Sequence, residues 1–184
     1  MLRYAGGDVA AFRLLYGRHR GGLYRYLLRG CGSGERSAEL ASELFQDVWA
    51  SVVRSRERYE PKAKFGTWLY TLAHHRLVDH WRTHKPQFQA IDDGTADDEA
   101  EALSIAAPAH EQPEAQAERE VQRRRLLQAI AGLPIEQRQA FLMKEEGGLS
   151  LEEIASATGV GRETVKSRLR YALGRLREAL TDVL

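Results

Sequence analysis

Leu149-Ser150-Leu151-Glu152-Glu153-Ile154-Ala155-Ser156-Ala157-Thr158-Gly159-Val160-Gly161-Arg162-Glu163-Thr164-Val165-Lys166-Ser167-Arg168-Leu169-Arg170 carries its own start and stop signals. Ser150 and Glu153 have the S-x-x-E spacing of a capping box, in which each side chain satisfies an orphan amide at a helix start. Leu149 and Ile154 stand at the positions of a hydrophobic staple. Gly159-Val160-Gly161 supplies a tight turn, because glycine reaches positive φ without steric cost. A second helix follows, with an apolar stripe at Val165, Leu169, Leu173, Leu176 and Leu180. Its other face bears Arg162, Lys166, Arg168, Arg170, Arg175 and Arg177, against Glu163 and, near the helix end, Glu178. A basic amphipathic helix by itself is often only a solvated surface. Cap, turn and basic helix in this order read as a helix-turn-helix, whose second helix fits a DNA major groove.

The charge distribution agrees, although the net charge of the 184 residues is only +1. Residues 1–91 hold 15 basic and 8 acidic side chains, a balance of +7. Residues 92–118 hold 9 acidic and no basic ones, and residues 119–184 hold 12 basic and 9 acidic ones. Polyanions respond to the local field, so two basic blocks around an acidic segment are compatible with nucleic-acid binding. One cysteine, Cys31, excludes an internal disulfide and suits a reducing cytosol; it reads as a loop thiol. No apolar run approaches the ~18–20 residues that span a bilayer, and Gly6, Gly7 and Asp8 interrupt any signal-peptide core. A cytoplasmic protein without membrane insertion is expected.

Helical spacing dominates the rest of the chain. Asp8 caps a helix marked by Val9, Phe12, Leu15, Tyr16, Leu23 and Leu27, with a bend expected at Gly21-Gly22. A second helix spans roughly Ser37 to Arg56, with Leu40, Leu44, Val48 and Val52 four apart. A third runs from about Lys64 to Thr83 and closes before Pro86. From Pro86 to Ala117 apolar residues are too sparse to offset chain entropy, so a flexible acidic linker is expected. Helical spacing resumes from Glu118 to Leu133, and Pro134 opens a further helix at N1 that Gly147-Gly148 ends. The fold class is all-α, with two small helical domains. Residues 1–85 form three helices, 86–117 the linker, and 118–184 four helices including the helix-turn-helix.

The third helix mixes aromatic, basic and hydroxyl side chains from Lys64 to Arg82. Phe65, Leu69, Leu72 and Leu77 suit a core. Trp68, Tyr70, Thr71, His74, His75 and Arg82 are left partly available. Bases stack on aromatic rings at ~1–3 kcal/mol each while cations hold phosphates, so single-stranded nucleic acid is the matching ligand. Trp68 and Trp81 serve equally well as core. His80 and His84 are four apart but lack evident partners, so neither a metal nor a cofactor is expected. No phosphate loop, nucleophile elbow or metalloprotease motif occurs, so no enzyme is expected.

Three blocks together resemble the extracytoplasmic-function sigma factors of the sigma-70 family, bacterial subunits of transcription initiation. The first block is Gly7-Asp8-Val9-Ala10-Ala11-Phe12 through Leu23-Tyr24-Arg25-Tyr26-Leu27. The second joins Ser42-Glu43-Leu44-Phe45-Gln46-Asp47-Val48-Trp49 to Phe65-Gly66-Thr67-Trp68-Leu69-Tyr70 and Asp79-His80-Trp81-Arg82. The third is Leu133-Pro134, Gln137-Arg138, Glu145-Glu146-Gly147 and the helix-turn-helix. The resemblance covers everything but the linker. It implies that residues 1–85 are sigma region 2 and residues 118–184 region 4. It implies docking on core RNA polymerase through Glu43, Gln46 and Asp47. It implies −10 recognition and melting by Arg54, Arg56, Arg58, Tyr59, Lys62, Lys64, Thr67, Trp68, Tyr70, Thr71, His74, His75 and Arg82. It implies −35 recognition by Arg162, Thr164, Lys166, Ser167, Arg170 and Tyr171. Promoter DNA, bacterial core RNA polymerase and an anti-sigma factor or other regulator are the implied partners. The C-terminal half alone also fits a self-sufficient DNA-binding regulator, and the Phe65–Arg82 element separates the two readings.

Overall fold

The computed structural model describes residues 1–83 and 113–181, without the side chains of residues 113–115 and 117. Among the described residues every regular element is helical. They are α1 (Leu2–Ala5), α2 (Val9–Cys31), α3 (Ser37–Arg54), α4 (Phe65–Thr83), α5 (Pro113–Ala131), α6 (Ile135–Glu145), α7 (Leu151–Thr158) and α8 (Arg162–Thr181). A single 3-10 turn, Arg56–Arg58, follows α3. The expectation of a flexible linker over 86–117 falls mostly outside the described residues. Its last five positions instead open α5, where proline is tolerated in the first helical turn and Glu, Ala and Gln favour helix.

Local chemistry explains the boundaries. Asp8 Oδ1 accepts from the Ala11 amide at 3.1 Å and starts α2. The helix then runs unbroken past Gly21-Gly22 to Cys31 and ends at Gly32, φ +95°. Cys31 is thus the last residue of a helix, not a loop thiol. Its burial pushes the thiol up to about 12, so it is inert at neutral pH. Pro134 stands at the N-cap of α6 rather than at N1.

α2, α3 and α4 pack as a three-helix unit around Leu23, Leu27, Val48, Val52, Leu69 and Leu77, all fully buried. Each such side chain contributes ~1.5–3 kcal/mol of apolar burial. Gly30 is required here, since a Cβ at that position would lie 2.7 Å from Leu77 Cδ2. In the C-terminal half α8 packs on α5, α6 and α7 around Leu142, Met143, Ile154, Val165 and Ala172. The buried stripe of α8 is Val165, Leu169, Ala172 and Leu176, while Leu173 and Leu180 are exposed. The expected spacing of four drifts off a 3.6-residue helix, and Ala172 takes the place read for Leu173.

The two halves share one continuous core. α6 lies on α2, α7 lies on α4, and α5 touches α2. The Tyr26 and Tyr70 rings meet edge to face, their centroids 5.2 Å apart. Arg138, buried, donates from Nη1 to the Ala131 carbonyl at 3.0 Å and so caps the C-terminus of α5.

Candidate nucleic-acid interface

The helix-turn-helix forms as its residues dictate. The Glu153 amide donates to Ser150 Oγ at 3.2 Å, and the Ser150 amide donates to Glu153 Oε2 at 2.8 Å. The bond from the Ser150 amide, with Lys64 and Thr67 also donating to the carboxylate, holds Glu153 down to about 2. Gly159 closes α7 in the left-handed region, φ +69°, which a side chain would resist. α8 leaves this turn with Val165, Ala172 and Leu176 inward. Arg162, Thr164, Lys166, Arg170 and Tyr171 are exposed, and Ser167 is half-buried beside them. Arg162 is held by Glu152 at 2.6 Å and Glu163 at 3.1 Å. Lys166 lies 3.7 Å from Glu163. The Arg170 guanidinium stacks over the Tyr171 ring, 5.0 Å from its centroid. This face is a cationic, hydroxyl-bearing ridge open to a groove-sized ligand.

The loop after α3 and the start of α4 form a second site. Tyr59 meets Trp68 edge to face at 5.0 Å, and Phe65 meets Trp68 at 5.8 Å. Tyr59 and Trp68, with Arg58, Glu60, Lys62, Thr67 and Thr71, line a cavity of about 370 Å³, within the ~300–1,000 Å³ typical of ligand clefts. Ser156 of α7 forms part of the same wall. Arg54 donates to Ser51 Oγ at 3.0 Å, and Arg56 lies 5.8 Å from the centre of the Tyr4 ring. Lys62 pairs with Glu60 at 2.8 Å. His75 and Arg82 are exposed.

Three residues expected on this face are not available to a ligand here. Thr67, Tyr70 and His74 are buried, 5%, 2% and 8% exposed. The C-terminal half covers them. Thr67 donates to Glu153 Oε1 at 3.0 Å, and Tyr70 donates to the Glu146 carbonyl at 2.8 Å. His74 is lowered to about 4, chiefly by burial, with His75 and Arg168 of α8 adding to the effect. Lys64 is drawn to Glu153 at 3.1 Å. Arg25, Arg29, Glu146 and Ser156 also belong to this region, and nothing in local patterning assigns them a part in it.

Glu43, Gln46 and Asp47 lie exposed on α3, on the side opposite buried Leu44, Val48 and Val52. Neither acid forms an ion pair among the described residues. Of the two histidines four apart, His80 and His84, the second lies outside the described residues. Among the described residues no group of three or more His, Cys, Asp or Glu is placed to hold a metal, and no helix is long and apolar enough to cross a membrane.

Comparison with known proteins agrees with this layout. Residues 15–87 match the model of sigma-70 region 2, and residues 123–176 match that of sigma-70, region 4. The chain is 32% identical to the RNA polymerase sigma factor CarQ of Myxococcus xanthus, over 100% of this chain and 97% of CarQ. It is 29% identical to the ECF RNA polymerase sigma factor SigK of Mycobacterium tuberculosis, over 97% of this chain and 90% of SigK. Among solved structures it resembles the sigma factor RpoE in complex with the anti-sigma factor NepR, from Bartonella quintana. The TM-score is 0.67 at 19% identity, over 96% of this chain and 100% of that one.

Proposed function

The chain belongs to the extracytoplasmic-function RNA polymerase sigma factors of the sigma-70 family, and from that premise we propose how its surfaces divide the work of starting transcription. Residues 1–85 bind core RNA polymerase and the −10 element, residues 86–117 connect, and residues 118–184 bind the −35 element. The connecting segment suffices geometrically. Elements ~17 base pairs apart lie roughly 55–60 Å from each other at ~3.4 Å per pair, and an extended chain reaches ~3.3 Å or more per residue.

The observation that carries this reading is the pair of surfaces. A capped helix-turn-helix presents an open basic ridge on α8, and a basic loop with Tyr59 and Trp68 encloses a cavity at the start of α4. Lys166 and Arg170 lie four apart on the ridge and read base edges in one major groove, with Arg162, Thr164, Ser167 and Tyr171 beside them. Unstacking a base costs a few kcal/mol, so melting requires a site that stabilises the flipped base. The cavity beside Tyr59 and Trp68 accepts that base, and Arg54, Arg56, Arg58, Lys62, Lys64 and Arg82 track the strand. Thr71 and His75 complete this strand-facing side, and Thr67, Tyr70 and His74 join it only where the C-terminal half no longer covers them. Glu43, Gln46 and Asp47 dock on the polymerase, and a regulator of anti-sigma type acts on the same chain. The protein works in the cytoplasm, associated with the nucleoid through polymerase.

Run-off transcription over promoter fragments with core enzyme tests the proposal. Transcripts are expected only when both core and this chain are present, and Asp47→Arg is expected to lower co-purification with core while the helical content stays intact. A chain that shifts promoter DNA alone and leaves core activity unchanged overturns the proposal in favour of a self-sufficient regulator.

A further inference from the structure

Two carboxylates of the C-terminal half find their partners on the N-terminal half. Glu146, the C-cap of α6, has its side chain only 7% exposed. Its Oε2 accepts from Arg25 Nε at 2.7 Å, and its Oε1 pairs with Arg29. Its carbonyl accepts from Tyr70. Glu153 divides its two oxygens. Oε2 closes the capping box, while Oε1 takes Thr67 Oγ1 at 3.0 Å and Lys64 Nζ at 3.1 Å.

A carboxylate between two guanidiniums, or between an ammonium and a hydroxyl, sits where a backbone phosphate sits. Charge, acceptor oxygens and preferred donors are the same. Lys64 and Thr67 already belong to the strand-facing side. Arg25 and Arg29 are assigned to no ligand, yet they hold the same Glu146 whose carbonyl Tyr70 bonds.

Gly22 shows how closely the halves approach. It lies inside α2, and a Cβ there would stand 2.7 Å from the Glu146 carbonyl oxygen and 2.9 Å from Tyr70 Oη. The seam is also imperfectly satisfied. Arg138 Nε and His74 Nδ1 are buried without hydrogen-bond partners, which suits a contact that opens better than one that is permanent.

We propose that Glu146 and Glu153 latch the C-terminal half over the N-terminal half by filling two anion sites, Arg25–Arg29 and Lys64–Thr67, and that these sites take DNA backbone phosphates once the halves part. The inference rests on the sigma-factor reading. In the closed form Ser156 of α7 walls the cavity beside Trp68, so the base site and the phosphate sites are masked together. Opening exposes all of them at once, and an arriving polyanion competes for the same cations that hold the latch.

The full chain and a fluorescent single-stranded oligonucleotide of about 12 nucleotides test it. Compactness is followed by small-angle X-ray scattering. Glu146→Gln/Glu153→Gln removes both charges, and glutamine at the third helical position preserves the capping box. Gly22→Ala favours α2 as a helix while its methyl group opposes the Glu146 carbonyl. Both variants are expected to scatter as larger particles and to bind the oligonucleotide about tenfold more tightly. Adding Arg25→Ala/Arg29→Ala to the opened chain is expected to reverse that gain. It should also reduce the salt slope by about the value of two phosphate contacts.

Unchanged compactness and affinity in both opened variants overturn the latch. Affinity indifferent to Arg25 and Arg29 in the opened chain overturns the phosphate assignment. Run-off transcription separates this from the function. Transcription without opening defeats the latch alone, and opening without core-dependent transcription defeats the sigma-factor reading.

Discussion

The two surfaces proposed to face DNA use similar residues and differ in what covers them. On α8, Arg162, Lys166 and Arg170 project into solvent, restrained only by Glu152, Glu163 and a neighbouring ring. On α4, Thr67, Tyr70 and His74 are buried, and Lys64 is engaged by Glu153. The proposed upstream surface is complete within the C-terminal half and open to solvent. The downstream surface is shared between the halves, so its availability depends on how they pack. The basic ridge therefore answers to the helix-turn-helix alone, whereas the strand-facing side answers to the whole molecule.

Removing the support common to both surfaces has the largest expected effect. Ile154 is fully buried in α7, the helix that props α8 and covers α4. Ile154→Ala is expected to lower stability by ~2–5 kcal/mol, the cost of a large-to-small core change. Thermal denaturation followed by circular dichroism checks it. A loss under ~1 kcal/mol would mean that α7 is loosely held and that the contrast between the surfaces is weaker than drawn.

Acid distinguishes the surfaces next. His74 is lowered to about 4 by burial, with His75 and Arg168 nearby, against an ordinary value near 6.5. Its folded value is the lower one, so the unfolded chain binds more protons between those limits. Stability is thus untouched above pH ~6.5 and falls as pH drops from ~6.5 towards 4, by on the order of 2–3 kcal/mol. Glu153, held near 2, adds a separate loss only below its unfolded value of ~4.3. Denaturant titrations from pH 7 to 5 should show a steep slope in the native chain and a clearly shallower one in His74→Gln, where half-buried His19, also lowered by desolvation, still contributes. Equal slopes in both would mean that His74 is not held neutral by the covering half.

A smaller, more local effect is expected on the open ridge. Arg170→Ala should remove ~1–3 kcal/mol of base discrimination at one or two upstream positions. Preference at the −10 element should not change, because α8 carries its own surface. Transcription from promoters varied one position at a time measures both. A uniform fall over all sequences would make Arg170 a phosphate contact.

These differences follow how far each feature depends on sequence neighbours. Ser150, Glu153 and Gly159 act within a few residues, and each does in the structure what its spacing implies. The all-α architecture was legible for the same reason, as were the starts of α2 and α3. The stripe of α8 was read with a fixed step of four and went astray at Leu173, where the 3.6-residue period puts Ala172 inside. Tyr70 and His74 read as available because α4 alone leaves them on its outer side. Their burial needs α6, α7 and α8, more than 60 residues further along the chain. Gly22 held the one local hint. A glycine inside a helix costs roughly 0.5–1 kcal/mol relative to alanine; it suggested a bend, whereas it makes room for the Glu146 backbone. The same glutamate was visible in the motif Glu145-Glu146-Gly147, but its partners Arg25 and Arg29 lie in the other half.

The smallest expected effect sharpens the contrast between a carboxylate at the seam and one on the ridge. Glu152 and Glu153 are adjacent acids at the start of α7, yet they face different environments. Glu153 has its side chain 20% exposed and bonds both the cap and the N-terminal half. Glu152 is open to water and holds Arg162, which bonds Glu163 as well. An exposed ion pair gains little in high dielectric and loses side-chain freedom, so its net effect on stability is small. Arg162 nonetheless belongs to the proposed −35 surface, and every bond to Glu152 is one that DNA must displace. Glu152→Gln is therefore expected to leave the melting temperature unchanged and to raise upstream-duplex affinity about two- to threefold at low salt. The gain should vanish as salt screens the ridge. Titration of a labelled −35 duplex at two ionic strengths measures it. A clear drop in melting temperature would mean that Glu152, like Glu153, is part of what holds the molecule together, and the division between an open ridge and a structural seam would fail at its boundary.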